Sequence, residues 1–414
     1  MRVNYPRMAV CALTIALIWR VEALSGGLSA QARGSQPATT GGTQGRGQAS
    51  VATAAQTPPG AMLAEQAFKN VQAPALKTIS VDDFILTMGI MTSSLGFDCA
   101  DCHEAAGTDR VNWAADTPKK VTARRMVNMV QAINRDNFGG RQLVTCWTCH
   151  RNRDKPSMTT NFEILYGMPN LESDDYVPAS APGVPKPDVI IDKYLQALGG
   201  TQKLSTMKSY AATGTSVGFG GFGGGGHVEI YAKAPDQRST VIAFPDAPGR
   251  DASVRSFDGK IGWIKTPLSV LGEYQLSGSE LDGARLDAQL AFPGQIKQVL
   301  TNLRTLDPAT IDDKDCDVVQ GDSQRRMFVT MYFEKSTGLL LRTIRYGPSP
   351  IGRIPTQVDF SDYRDVSGVK VPFHFTFSWL DGRDAFQLSQ VQMNAPIDPS
   401  KFGRPTALES SARH

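Results

Sequence analysis

The sequence predicts a multidomain α + β protein, in which a small helical domain precedes an antiparallel β domain that begins with its own helix. Three observations predict this class. Apolar residues recur at helical spacing within residues 84–133, which is typical of amphipathic helices. Short apolar runs alternate with turn signals within residues 254–382, which is typical of antiparallel strands. Between these parts, residues 176–187 contain four prolines and predict a stiff linker.

The composition is that of a folded protein and excludes several classes. Hydrophobic residues make up 41% of the 414 residues and charged residues 20%, which excludes a disordered chain and a polytopic membrane protein. The net charge of +3 gives no basis for nucleic-acid binding. The informative counts are six Cys and five His, because four of the Cys and two of the His lie in two copies of one pattern.

The N-terminal residues 1–32 predict an export signal. Two arginines precede the uncharged run Met8–Trp19, which is too short for a span of about 20 residues but typical of a signal peptide. Cleavage after Val21-Glu22-Ala23 and cleavage after Ala30-Gln31-Ala32 both stay open, and an uncleaved membrane tether is the alternative. Residues 33–60, which lack acids and aromatic residues, predict a flexible linker. We therefore expect a periplasmic or otherwise extracytoplasmic protein.

Residues 61–175 predict a helical domain with two principal helices. Ser80 begins the first helix in a capping box, and Gly96 ends it. Thr117 begins the second helix, with a proline in its first turn, and Gly139 ends it. Each of these helices leads into a CxxCH motif.

CxxCH is the attachment motif of haem c. Its two thiols add to the vinyl groups of one porphyrin, and the adjacent His supplies an imidazole ligand to the iron. The sequence therefore predicts two covalently bound haem c groups. Their attachment residues are Cys99, Cys102 and His103 in the first motif and Cys146, Cys149 and His150 in the second.

Two other readings of paired CxxC motifs fit less well. A zinc site does not explain a His after both pairs, and the gap between the pairs exceeds the about 15–20 residues of zinc ribbons. A dithiol redox motif requires a strand, turn and helix that this part of the chain lacks.

The sixth ligand of each iron is predicted to be methionine. Bis-His ligation within the helical domain is excluded, because the five His are His103, His150, His227, His374 and His414. Met88 and Met126 lie on the helices ahead of the two motifs, and Met91 and Met129, one turn further on, compete with them. Filling of the helical core is the alternative role for any of these side chains.

Three stretches, Leu86–His103, Thr122–Asn137 and Val144–Arg151, resemble the tetrahaem cytochrome subunit of photosynthetic reaction centres. The resemblance implies that Met88 and Met126 are the axial ligands and that the chain transfers electrons. Only two haem motifs are present where the family has four. We therefore expect a periplasmic or membrane redox protein other than a reaction centre as the partner.

The charges near the two motifs differ in sign. Acids surround the first motif and bases the second, namely Asp98, Asp101, Glu104 and Asp109 against Arg141, Arg151, Arg153 and Lys155. Positive charge favours the ferrous state, so the haem at His150 is expected to have the higher potential and the haem at His103 to receive electrons first. A solvated surface without any such tuning is the alternative.

Residues 188–405 predict the β domain, and residues 406–414 a tail. Its leading helix, Asp188–Leu198, precedes strands separated by turns such as Asp258-Gly259. The strand around His374 alternates aromatic and polar residues, so we expect His374 on the outer face. The glycine-rich run 218–226 predicts a mobile hairpin loop, and Cys316 a buried lone thiol.

This half of the chain also resembles the LolA/LolB-like lipoprotein carriers, through "DVIIDKYLQALGG", "FDGKIGW" and "QVDFSDYRDVSGVKVPF". The resemblance implies a curved antiparallel half-barrel with an apolar cavity that could hold a hydrophobic ligand or a lipoprotein.

Taken with the haem motifs, these features favour an electron carrier without catalytic residues. Two alternatives stay open. One is a haem enzyme, a peroxidase or reductase, with an open iron position. The other is a lipid- or lipoprotein-binding module whose haems sense redox state.

Overall fold

The computed structural model describes residues 62–108, 110–156, 158–159, 176–218, 225–247, 249–267, 271–323 and 327–405. The predicted signal peptide, the linker at 33–60, Asp109, residues 219–224 of the glycine-rich run and the tail with His414 lie outside the described residues.

Six helices, two of them long, precede the proline-rich segment 176–187 in the described residues. They are α1 (Ala64–Ala67), α2 (Pro74–Lys77), α3 (Val81–Leu95), α4 (Cys99–Cys102), α5 (Pro118–Phe138) and α6 (Cys146–His150). The Ser80 hydroxyl oxygen caps α3 by accepting a hydrogen bond from the Asp83 N–H at 3.0 Å. The Thr117 hydroxyl caps α5 through the Lys120 N–H at 3.3 Å. Both helices end at a glycine with left-handed backbone, Gly96 and Gly139, so these bounds agree with the capping signals.

Fourteen antiparallel strands form one open sheet in the described part of the chain. They are β1 (Ser209–Gly218), β2 (Gly225–Lys233), β3 (Gln237–Ala243), β4 (Ser253–Phe257), β5 (Gly262–Lys265), β6 (Glu273–Gln275), β7 (Leu300–Thr305), β8 (Ala309–Ile311), β9 (Lys314–Ser323), β10 (Phe328–Glu334), β11 (Leu340–Ser349), β12 (Gly352–Val366), β13 (Val369–Trp379) and β14 (Gly382–Met393). Their spatial order is β6-β5-β4-β3-β2-β1-β14-β13-β12-β11-β10-β9-β7, with β8 paired to β9. The sheet does not close into a barrel, because β6 and β7 remain its two edges.

Four helices accompany the sheet among the described residues: α7 (Pro187–Ala197), α8 (Thr201–Ser205), α9 (Gly278–Leu290) and α10 (Ile296–Val299). Short 3₁₀ turns occur at Pro293–Gln295 and Pro399–Phe402. The helix predicted at the start of the β domain is α7, whereas α9 was not predicted. The predicted α + β class, with helices ahead of an antiparallel sheet, is confirmed.

The proline-rich segment 176–187 is held along the sheet. The Val177 N–H donates to the Gln320 side-chain oxygen at 2.9 Å, and the Ala181 N–H donates to the Thr305 carbonyl at 2.8 Å. Thr305 in turn donates from its hydroxyl to the Pro185 carbonyl at 2.7 Å. The domain boundary proposed at this segment stays a prediction.

The turn between β11 and β12 packs into the helical part of the chain. Ile351 and Ile354 are almost completely buried in one apolar cluster with Ile90 of α3 and Val127 of α5. The close approach at Gly352, where a Cβ atom would lie 3.3 Å from the Ile90 side chain, leaves little room for a larger residue. The helical part and the sheet therefore share a core.

Buried carboxylates join α3 to α9. The Asp82 carboxylate accepts a hydrogen bond from the Ser277 N–H at 2.9 Å, and the Asp83 carboxylate accepts one from the Ser279 hydroxyl. Burial raises the pKa of Asp83 to about 6. Burial alone would also raise the pKa of Glu280, but the charges of Arg345 and Arg255 outweigh it and lower the pKa of Glu280 to about 2.

Within the described residues, no helix has the length and apolarity needed to cross a membrane.

Candidate functional site

The first CxxCH motif forms one tight helical turn, α4, directly after α3. Asp98 begins this turn, because its carboxylate accepts hydrogen bonds from the Ala100 and Asp101 N–H groups at 2.8 and 3.1 Å. The Asp101 carboxylate accepts a reciprocal bond from the Asp98 N–H at 3.0 Å. The turn closes when the His103 N–H bonds the Cys99 carbonyl at 2.9 Å. Helical geometry thus brings both cysteines and the histidine of the motif into one local unit.

The His103 ring is partly buried against Trp113. The two ring centroids are 4.9 Å apart in an edge-on arrangement. Burial and the nearby Lys120 charge lower the pKa of His103, which favours the neutral imidazole that a metal requires. A hydrogen bond with the Trp113 backbone acts on this pKa in the opposite direction, but burial outweighs it. A half-buried imidazole that favours its neutral form fits a haem iron ligand.

The second motif repeats this arrangement in α6, directly after a loop from α5. Thr145 and Thr148 cap α6 reciprocally through N–H to hydroxyl bonds of 3.0 and 3.3 Å. The His150 Nδ1 atom lies 3.0 Å from the Arg153 carbonyl oxygen. Because a carbonyl oxygen can only accept, Nδ1 carries the proton in this bond. The lone pair of Nε2 is then free to bind a metal, as is usual in metal-binding histidines.

Asn134 of α5 holds the loop that leads into the second motif. Its side-chain oxygen accepts hydrogen bonds from the Leu143 and Val144 N–H groups at 3.0 and 2.9 Å, and its amide donates to the Val144 carbonyl at 2.7 Å. Asn134 is only 5% exposed, so the side chain that makes these bonds is buried. The sequence analysis missed this residue, although a polar residue on the apolar face of α5 was a signal.

The turn between β11 and β12 holds the second motif from the other side. The Cys146 N–H donates to the Ile351 carbonyl at 3.4 Å. Gln142 donates to the Ser349 carbonyl at 2.7 Å, and Gln131 donates to the Pro350 carbonyl. The position of the second motif therefore depends on the sheet, which no local sequence pattern could reveal.

The four methionine candidates have different surroundings. Met88 and Met91 line one cavity together with Cys99, Cys102 and His103. Met126 is partly buried on α5, whereas Met129 is 42% exposed. The two candidates for the first iron therefore line the same cavity as His103, and exposure distinguishes the second pair.

Charged residues near the first motif are more balanced than the acids alone suggested. Asp101 forms an ion pair of 2.6 Å with Lys119, and Lys120 lies close enough to His103 to lower its pKa. By contrast, Arg151, Arg153 and Lys155 are exposed and form no ion pair with any described residue. We call these three residues the basic surface.

A cavity of about 1080 Å³ connects the first motif with the inner face of the sheet. Its lining from the sheet is mainly apolar and aromatic. Phe375 and Phe386 stack with centroids 4.7 Å apart, and Phe377 and Trp379 follow along β13. The cavity has the size of a site for a cofactor or a small apolar molecule.

The remaining histidines and the lone cysteine lie apart from this cavity where they are described. His374 faces outward, with Nδ1 2.9 Å from the Ser361 hydroxyl. Cys316 is fully buried. No three Cys, His, Asp or Glu side chains within the described ranges form a metal-binding group, so the two CxxC pairs do not form a shared zinc site there.

Comparison with known proteins agrees with the resemblance of the helical part. Residues 28–164 match the family described as photosynthetic reaction centre cytochrome C subunit. The chain is 38% identical over 98 residues to the photosynthetic reaction center cytochrome c subunit of Thermochromatium tepidum, covering 22% of each chain. It is 34% identical over 110 residues to the subunit of Roseobacter denitrificans, covering 24% of this chain and 28% of that protein. The match thus spans less than a third of either relative.

The sheet-containing part is similar to solved structures at low identity. A LolA superfamily protein from Nitrosomonas europaea is 12% identical, with 53% of this chain and 99% of that chain covered and a TM-score of 0.37. A putative outer membrane lipoprotein-sorting protein domain from Vibrio parahaemolyticus is 10% identical, with 51% and 97% covered and a TM-score of 0.35. Residues 28–164, which include both CxxCH motifs, therefore resemble photosynthetic reaction centre cytochrome c subunits.

Proposed function

We propose that this chain is an extracytoplasmic dihaem c-type cytochrome that carries electrons between a membrane or periplasmic donor and a second redox protein. The observation that carries the proposal is the paired construction of the two motifs. Each motif is a capped helical turn after a longer helix, and each presents a histidine suited to iron. The hydrogen bond from His150 Nδ1 to the Arg153 carbonyl is the clearest sign of a ligand histidine.

The residues of both helical turns have the chemistry that haem c requires. Cys99 and Cys102 would hold one porphyrin through thioethers, and Cys146 and Cys149 the other. Each of the four thiols is free. When bound, each haem supplies an iron that takes up and returns one electron. His103 and His150 would bind the two irons.

Methionine ligation would suit an electron carrier better than a haem enzyme. Met88 shares the cavity of His103, and Met126 is the more buried of the two candidates near the second motif. A thioether in the sixth position raises the reduction potential and excludes peroxide and other small ligands. We therefore assign Met88 and Met126 as axial ligands.

The exposed basic surface supports a docking role for the second haem. Arg151, Arg153 and Lys155 follow His150 directly and are exposed. Long-range attraction to an acidic acceptor would speed association and would weaken with salt. Electrons would then enter at the haem of His103 and leave at the haem of His150.

The cavity along the sheet supports a second role for the β domain, the binding of a hydrophobic ligand. Aromatic and aliphatic side chains make up most of its lining on the sheet side, and the charged residues there include Arg238, Arg255, Lys370 and Asp384. In this proposal the β domain supplies the binding site and the helical part supplies the redox centres.

Redox potentiometry and carbon monoxide binding on the purified protein test the carrier role. We expect two reversible one-electron transitions and no carbon monoxide complex, since both irons would be six-coordinate. Carbon monoxide binding to the wild-type ferrous protein, together with turnover of peroxide, would instead identify a haem enzyme.

A further inference from the structure

The cavity extends well beyond the first haem motif. Near the motif its lining includes Met88 and His103, and at the other end it includes Tyr194, Met207 and Met331. The last three belong to an apolar core cluster that contains no residue before Ile190. A porphyrin held by Cys99 and Cys102 would occupy the motif end, and the sheet end, which we call the chamber, would remain for a second molecule.

An aromatic row forms one wall of the chamber. Phe360 of β12 pairs in register with Phe375 of β13, and Phe375 pairs with Phe386 of β14. The rings of Phe375 and Phe386 stack at an interplanar angle of 15°. Because the stacked rings cover each other's faces, such a row presents apolar ring edges, which suit edge-to-face packing with another planar ring.

Strand β13 carries the chamber wall from the aromatic row toward α3. Along β13, Phe377 is followed by Trp379, with ring centroids 6.0 Å apart. The next residues pack on α3, where a Cβ atom at Gly89 would lie 3.1 Å from Leu380 and 3.7 Å from Asp381. Gly89 is adjacent to Met88. A molecule in the chamber would therefore share its wall with the first haem site.

We propose that the chamber binds an isoprenoid quinol, with its ring against the aromatic row, and that this quinol donates electrons to the haem at His103. The inference rests on the proposed electron-transfer function. An apolar chamber selects an apolar molecule, the aromatic row selects a planar ring, and the shared wall brings that ring next to a redox centre. A lipid without a redox-active ring could not donate electrons to the haem beside this wall.

The stoichiometry of the two haems matches quinol oxidation. One quinol loses two electrons and two protons and becomes one quinone. Each ferric iron gains one electron, so a single quinol reduces one dihaem chain fully. The two protons pass to water, which reaches the cavity where exposed residues such as Lys69 and Asn112 line it.

The test uses the oxidised full-length dihaem protein without oxygen. Equilibrium dialysis with the oxidised form of a short-chain quinone measures binding independently of haem reduction. Stopped-flow absorbance with the matching quinol then measures reduction. We expect one quinone bound per chain and both haems reduced by one equivalent of quinol. Dithionite should reduce both haems in every variant.

Two tryptophan substitutions separate the chamber from the outer face of the sheet. Val358 of β12 lines the cavity, and it pairs in register with Phe377. Val358→Trp should fill the chamber and weaken quinone binding and slow reduction by quinol, each by about tenfold or more. Gln357→Trp, at the next residue and outside the lining, should change neither.

Wild-type protein that reduces with dithionite but neither binds quinone nor reduces with quinol would overturn this inference and leave the electron-carrier proposal intact. Stoichiometric binding of a redox-inactive phospholipid that quinone cannot displace would overturn it as well. Because both results come from the wild type, the inference remains testable even if Val358→Trp does not fold. Failure to carry haem would refute the proposed function itself.

Discussion

The His150 ring is linked to α3 through a single residue, Arg153. The Arg153 carbonyl oxygen lies 3.0 Å from His150 Nδ1, and the Arg153 N–H donates to the Ser94 carbonyl at 3.3 Å. Arg151 and Asn152 adopt positive φ angles of 52° and 62°, which turn the chain back from His150 toward α3. The second histidine is thereby oriented by the helix that precedes the first motif, so the two motifs form one structural unit.

Replacing an axial methionine should open one iron. Met88→Ala and Met126→Ala should each remove one low-spin centre and allow carbon monoxide to bind one haem per chain, because alanine supplies no ligand. The visible spectrum of the ferrous protein with carbon monoxide measures this. Met91→Ala and Met129→Ala are the matched controls, and Met129 is already 42% exposed. If a control variant opens an iron instead, the assignment moves to that residue.

Removing the basic surface should lower the higher of the two reduction potentials. The triple variant Arg151→Gln, Arg153→Gln, Lys155→Gln removes positive charge that favours the ferrous state at His150. The difference between the haems should be modest, because Lys119 pairs with Asp101 near the first motif. Redox titration at low salt measures both potentials. The control is the triple variant Lys186→Gln, Lys233→Gln, Lys260→Gln, which removes the same charge elsewhere and should change neither potential. Equal effects of both variants would show that the basic surface does not set the order of the two potentials.

Asn134→Ala should destabilise the protein by about 2–3 kcal/mol, because it leaves two half-buried backbone N–H groups without acceptors. Those groups belong to Leu143 and Val144. Denaturant unfolding measures the change in free energy. Asn137→Ala on the same helix removes one exposed bond, from Asn137 to the Ile133 carbonyl, and should cost less than about 1 kcal/mol. Similar losses in both variants would show that Asn134 does not hold the loop.

Asp83 should make stability depend on pH between about 4 and 7. Burial raises its pKa from 3.8 to about 6 in the folded protein, so the folded state binds the proton more tightly than the unfolded state. This stabilisation is fully present below pH 3.8 and is lost as pH rises through about 6, a change of about 3 kcal/mol.

The comparison of wild type with Asp83→Asn isolates that contribution. The free energy of unfolding of the wild type minus that of Asp83→Asn should fall as pH rises from 4 to 7, because asparagine does not titrate. Urea unfolding at several pH values measures the difference. Asp136→Asn, at an exposed carboxylate of α5, serves as the control. A difference that stays constant over this range would contradict the raised pKa.

Local signals in the sequence predicted the helices around the motifs, because capping and termination act over only a few residues. Ser80 and Thr117 cap their helices as expected, and Gly96 and Gly139 end them. Helix α9 was missed because two glycines and several polar residues give it low intrinsic propensity. Its stability comes from distant partners instead, among them Arg345 and Arg255, which pair with Glu280 at 3.2 and 2.8 Å.

The residue types of the candidate site follow from local sequence, whereas its surroundings do not. The CxxCH spacing predicts haem attachment, and spacing is a local property. The contact between Cys146 and Ile351 joins residues more than 200 positions apart, and the ion pair of Lys119 with Asp101 depends on how α5 returns to α4. Such contacts follow from the tertiary fold, which periodicity does not specify.

The haem content of the purified protein tests the central claim most directly. Intact-mass spectrometry with a pyridine haemochrome assay should find two covalently bound haem c groups in the wild type. Replacing Cys99 and Cys102 by serine should leave one, and so should replacing Cys146 and Cys149, whereas Cys316→Ala, which alters the buried lone thiol, should leave two. A wild-type protein that carries no covalent haem, or bound zinc in its place, would contradict the account.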